Sequence, residues 1–154
     1  MIETPHITQS EEVLTAQIPL TVPTSEIHQV MGPGIQEVYA TLGAQGIPPA
    51  GPWITHHRRV PTDTFDFEIC VPVKTPVRPE GRVVPGQLRA ARVARTVYHG
   101  GYGGLGEAWG EFMGWIEATG LKPAGDLWEV YLVGPESGDD ASAYRTELNR
   151  PLED

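Results

Sequence analysis

One carboxylate stands among residues that would otherwise all pack. In Asp126-Leu127-Trp128-Glu129-Val130-Tyr131-Leu132-Val133, strand alternation puts Leu127, Glu129, Tyr131 and Val133 on one face, with Trp128, Val130 and Leu132 on the other. Both faces are apolar except at Glu129, and a carboxylate in such company is costly unless it is paired, protonated or kept for a partner. Aromatic residues gather in the same half of the chain: Tyr98, Tyr102, Trp109, Phe112, Trp115, Trp128, Tyr131 and Tyr144, against Tyr39, Trp53, Phe65 and Phe67 in the first half. Aromatic faces around one desolvated carboxylate make a receptor for flat, lipophilic cations. The competing reading is a solvated strand acid, at a sheet edge or meeting Arg89, Arg92 or Arg145. Trp109, Phe112 and Phe67 are assigned to the core, because their spacing already matches a buried stripe. Tyr131 and Tyr144 suit a pocket wall, which offers a partner for the hydroxyl of a largely apolar side chain.

Other candidates carry less. Tyr98-His99-Gly100-Gly101-Tyr102-Gly103-Gly104-Leu105 has the glycines of a phosphate loop but neither its spacing nor its lysine. His56 and His57 are adjacent, so on a strand they point to opposite faces and cannot readily ligate one ion. No Cys-x-x-Cys, His-Glu-x-x-His or Gly-x-Ser-x-Gly occurs, so no metal and no cofactor is expected. The single cysteine, Cys70, reads as a small buried hydrophobe.

These residues need elements to position them, and the chain repeats itself. Ala44-Gln45-Gly46-Ile47-Pro48-Pro49-Ala50-Gly51 recurs 74 residues later as Ala118-Thr119-Gly120-Leu121-Lys122-Pro123-Ala124-Gly125. An amphipathic helix precedes each copy, carrying Ile35, Val38, Tyr39 and Leu42 or Leu105, Ala108, Trp109, Phe112, Met113 and Ile116, and ending at Gly46 or Gly120. Strands are predicted after each copy, at Trp53 to His57 and Leu127 to Val133, and then around Phe67-Glu68-Ile69 and Thr146-Glu147-Leu148. One more is predicted before each helix, Val13 to Val22 and Leu88 to Tyr98, with Thr75 to Gly86 as a connecting loop. Glu68 and Glu147, at matching places, are expected to be exposed hairpin acids. The predicted fold is α+β: tandem βαββ units, about 10–74 and 86–154, forming one domain over 1–154. Two helices would pack on a largely antiparallel sheet, leaving a ligand cleft between the repeats.

A net charge of −9 opposes binding to a nucleic-acid backbone. No apolar stretch approaches membrane-spanning length, and Met1-Ile2-Glu3-Thr4-Pro5 lacks the basic start of a signal peptide, so a cytoplasmic protein is expected.

The doubled βαββ plan, the Tyr98-His99-Gly100-Gly101-Tyr102 entry to the second helix, Gly51-Pro52-Trp53, Trp128-Glu129-Val130-Tyr131 and Tyr144-Arg145-Thr146-Glu147-Leu148 together resemble the GyrI-like family, the bacterial transcription-activator effector-binding domains. The resemblance implies a small-molecule binder of multidrug type, taking lipophilic aromatic and cationic compounds, with Glu129 as the buried counter-charge. Tyr131, Tyr144 and Tyr102 match wall positions, and Tyr98 and Trp53 complete the candidate set. It also implies alternatives. One is a hydrolase of cyclopropane-bearing alkylating toxins with Glu129 as general base, and another is a gyrase-inhibitor-like regulator that binds a protein partner. No helix-turn-helix precedes the first strand, so a stand-alone form is expected, with any transcriptional role passing through a separate regulator.

Overall fold

The computed structural model describes residues 1–135, 138 and 140–153. Its architecture is α+β, with two helices packed on antiparallel strands. The described residues form two compact units, 11–90 and 1–10 with 91–154.

The first unit holds strands β2 (Val13–Pro23), β3 (Ile54–His57), β4 (Thr64–Pro72) and β5 (Val84–Leu88) and helix α1 (Ile27–Gln45). Its strands run in the order β3-β4-β2-β5, all antiparallel, with Thr55 opposite Ile69 and Leu20 opposite Phe67. Ala16, Ile18, Phe67, Ile69 and Val71 supply one sheet face and Val38 and Leu42 the helix stripe, all buried together. Helix α1 begins well before Ile35, running through Met31-Gly32-Pro33-Gly34. Gly34 explains the tolerance: a Cβ there would stand 2.5 Å from Ile69 Cδ1, so close packing on β4 selects glycine where helix propensity would not.

The second unit holds β1 (His6–Gln9), β6 (Arg92–His99), β7 (Leu127–Val133) and β8 (Arg145–Pro151) and helix α2 (Leu105–Ala118). The order is β1-β6-β8-β7, again antiparallel, with Glu129 opposite Leu148 and Tyr131 opposite Thr146. Ala108, Phe112 and Ile116 of α2 pack on Ala94, Tyr98 and Leu148. None of the described helices is long and apolar enough to cross a membrane.

Two expectations are corrected, and one strand is added. The strand predicted over Leu88 to Tyr98 is two strands, because Leu88 pairs with Val13 in one unit and Arg92 with Gln9 in the other, and Arg89 to Ala91 pass between. The loop predicted from Thr75 to Gly86 ends early, since Val84 already pairs with Gln17; Pro85 there leaves the ladder short of one donor, as an edge position tolerates. Strand β1 was not foreseen, since its four residues contain one apolar side chain, Ile7.

The repeated motif does the same local job twice. Gly46 and Gly120 both adopt positive φ, 69° and 76°. The Ala50 N–H donates to Pro72 O and the Ala124 N–H to Pro151 O, each at 2.8 Å, tying each motif to the end of the strand that closes its hairpin.

Candidate functional site

Strand β7 presents Glu129 and Tyr131 on the face that α2 covers, the face shared by Thr146 and Leu148 opposite them. Glu129 is 8% exposed, and both of its oxygens are engaged: Trp109 Nε1–H donates to Oε2 at 2.6 Å, and the Tyr131 hydroxyl donates to Oε1 at 2.5 Å. These distances sit at the short end, where charge-assisted bonds lie. Trp109 reaches the acid from one helical turn before Met113, its ring 5.6 Å from Phe112. A bulge between Tyr131 and Val133 turns Leu132 outward to 41% exposure and ends the alternation just past the site.

A tyrosine cage stands beside the acid. Tyr102, in the short 3-10 turn that leads into α2, meets Tyr131 edge-on with centroids 5.8 Å apart and lies 5.5 Å from Tyr144. Tyr144 is buried and its hydroxyl donates to Gly138 O at 3.2 Å. Tyr98 supports the turn from below, donating to Gly101 O at 2.9 Å; a Cβ on Gly104 would collide with that hydroxyl, so this glycine is a packing requirement. Thr146, fully buried across from Tyr131, has no hydrogen-bond partner for Oγ1 among the described residues.

Of the six sequence-derived candidates, Glu129, Tyr131, Tyr102 and Tyr144 form one connected cluster, and Tyr98 buttresses it. Trp53 lies in the other unit, half-buried against the core of α1, β2 and β4. Trp109, assigned to the core from its spacing, both packs there and holds Glu129. The signal was available: a buried indole N–H needs an acceptor. Thr146 had none, because a strand threonine announces nothing by itself.

Glu68 and Glu147 are not exposed hairpin acids. Their side chains are 15% and 21% exposed, within polar networks on the strand faces away from the helices. Glu68 accepts from Gln17 and lies 2.8 Å from His56 Nδ1; Glu147 accepts from Asn149 Nδ2 at 3.0 Å and lies 3.4 Å from Arg95. His57 takes the opposite face, stacked on Phe67 at 5.4 Å, where burial and then the neighbouring His56 lower its pKa to about 4. Burial likewise pushes the Cys70 thiol up, leaving it inert. No cluster of three or more metal-ligating side chains occurs among the described residues. Two open surface hollows border Ile47–Pro49, and Glu129 is enclosed.

Residues 3–153 match the GyrI-like small molecule binding domain, and the chain belongs to that family. Among solved structures it is similar to the C-terminal domain of EcmrR, at 22% identity and a TM-score of 0.84, covering 97% of each chain. It spans 57% of the EcmrR chain in the DNA complex of that protein. SAV2435, solved bound to tetraphenylphosphonium, is similar at 12% identity and a TM-score of 0.66, with 98% of this chain and 94% of that one covered. A hydrolase from Listeria innocua is similar at 14% identity and a TM-score of 0.64, covering 97% and 91%. Likeness at these identities shows the fold. No curated protein matches by sequence.

Proposed function

We propose that this protein binds lipophilic aromatic cations at Glu129, as a multidrug-type receptor acting in the cytoplasm. The carrying observation is a carboxylate 8% exposed, gripped on both oxygens by ring donors and set beside three tyrosines. Such a group supplies one low-dielectric negative charge, while the rings replace the water shell of a flat cation by stacking and cation–π attraction. Trp109 and Tyr131 fix the carboxylate in place, so the charge is already oriented, and the rings that enclose it have to part to admit the ligand. The Thr146 hydroxyl offers one more polar contact from the wall. Membership of a small-molecule-binding family supports the reading, as does a tetraphenylphosphonium complex of a protein with the same fold.

Calorimetric titration of a planar dye cation and its neutral isostere tests it. Glu129→Gln keeps the shape and removes the charge. It should cost the cation about 1.5–3 kcal/mol, roughly ten- to a hundredfold in affinity, and the isostere much less. Binding of the cation should also weaken as pH falls and the carboxylate is protonated. Equal losses for both ligands, or none for either, would assign Glu129 a structural role. The rival reading, in which Glu129 is a general base directing water onto a cyclopropane-bearing alkylating compound, is separated by turnover of such a compound with loss of activity in Glu129→Gln.

A further inference from the structure

The motif that occurs twice carries one charge, Lys122, in its second copy and none in its first, and Glu117 directly precedes the second copy where Gly43 precedes the first. At the 74-residue offset, Glu117 and Lys122 correspond to Gly43 and Pro48. Lys122 lies 3.3 Å from Glu153 at the surface. The backbone of the two copies is used alike, with the same positive-φ glycine and the same alanine N–H bond to a closing strand. The fold therefore does not demand that the first copy lack charge.

That copy nevertheless forms an uncharged surface. No Asp, Glu, Lys, Arg or His occurs from Tyr39 to Ala50, and Tyr39, Gly43, Pro48 and Pro49 are exposed. Two adjoining hollows of about 340 and 310 Å³ flank Ile47–Pro49. Tyr39, Leu42 and Gly43 wall one; Ala50, Lys74 and Thr75 wall the other. A Cβ on Gly43 would touch nothing within 4 Å, so packing does not require glycine there, and its absence keeps the hollow open.

One cation, Lys74, lines the second hollow, and Arg78 follows it in the chain, bonded to the end of α1. Lys74 and Arg78 are exposed, and neither makes an ion pair among the described residues. The Gln45 side chain makes that link, donating to Arg78 O and accepting from the Arg78 N–H, both at 2.9 Å. The result is a shallow, open depression, apolar beside Tyr39, Leu42 and Gly43 and mixed beside Lys74 and Thr75, on a chain whose net charge is −9. An apolar hollow beside exposed cations suits a protein segment better than a solvated surface, and their sign selects an acidic one.

We propose that this depression docks a short acidic segment of a partner protein, with one aromatic or aliphatic side chain seated between Tyr39 and Pro48 and carboxylates at Lys74 and Arg78. The proposal is independent of the Glu129 reading, since no residue of that cluster contributes.

The probe is a set of short fluorescein-labelled peptides, acidic with a single Leu or Trp anchor, each matched by a Lys-for-acid counterpart. Gly43→Glu with Pro48→Lys transplants the matching residues of the second half onto exposed positions, and Lys74→Glu reverses the charge beside them. Anisotropy should show saturable micromolar binding of acidic peptides to the wild-type protein, weaker with added salt, and at least about tenfold weaker for either variant. Dye-cation binding at Glu129 should be unchanged in both, which separates failure here from failure of the Glu129 reading. Acidic peptides binding no better than their Lys counterparts, or binding the variants equally well, would overturn the proposal. So would sedimentation showing that the wild type self-associates through this face, peptides failing to compete and the double variant being monomeric; the occupant would then be a second copy.

Discussion

Removing the Tyr131 hydroxyl tests the grip on Glu129 directly. Tyr131→Phe keeps the ring, and with it the edge-on contact to Tyr102, while deleting the donor 2.5 Å from Oε1. Glu129 is 8% exposed, so water cannot replace the donor without rearrangement. A buried hydrogen bond to a charged acceptor is worth about 1.5–3 kcal/mol, and that is the expected destabilisation at neutral pH. The number gains meaning in a cycle with Glu129→Met, which removes the acceptor at similar length. In that background Tyr131→Phe should cost under about 0.5 kcal/mol, leaving a coupling of roughly 1–2.5 kcal/mol. Tyr144→Phe is the control, because its hydroxyl donates to a neutral carbonyl, Gly138 O, at 3.2 Å. It should cost about 0.5–1.5 kcal/mol and be indifferent to Glu129→Met. Urea unfolding of the four cycle members, and of Tyr144→Phe with and without Glu129→Met, supplies every value, provided m stays constant. Equal costs of Tyr131→Phe with and without the acid would refute the geometry and, with it, the fixed counter-charge.

Three further outcomes follow from other parts of the molecule. Folded His57 titrates near 4 and an unfolded imidazole near 6.5, so the unfolded chain takes up the proton first. Stability should therefore fall as pH drops from about 6.5 to 4, by up to about 3 kcal/mol, and urea midpoints of His57→Phe should lack that slope. Gly110, solvent-facing in α2 with open space at its Cβ position, should gain about 0.5–1 kcal/mol on substitution by Ala, read as a higher Tm. Gly104→Ala should instead lose about 1–3 kcal/mol in urea unfolding, because the new methyl displaces the Tyr98 hydroxyl from Gly101 O.

The chain's own pattern determined much of this protein. Periodicity located both helices and most strands, and the two motif glycines were recognisable as helix stops because positive φ is a local demand. Strand alternation alone put Glu129 and Tyr131 on one face, since period two is a property of the extended backbone and needs no neighbour. What alternation cannot supply is the other side of a contact. That Trp109 donates to Glu129 depends on where α2 lies over β7, and that Tyr102 and Tyr144 stand against each other depends on a turn and a strand end far apart in sequence. The break between β5 and β6 was hidden for the same reason: both runs favour extended backbone, and only their pairing partners, Val13 and Gln9, assign them to different units. The burial of Glu68 and Glu147 also waited on tertiary structure. Their partners Gln17 and Arg95 come from other strands, and a carboxylate's solvation is settled by what pairs across from it rather than by its own neighbours in the chain.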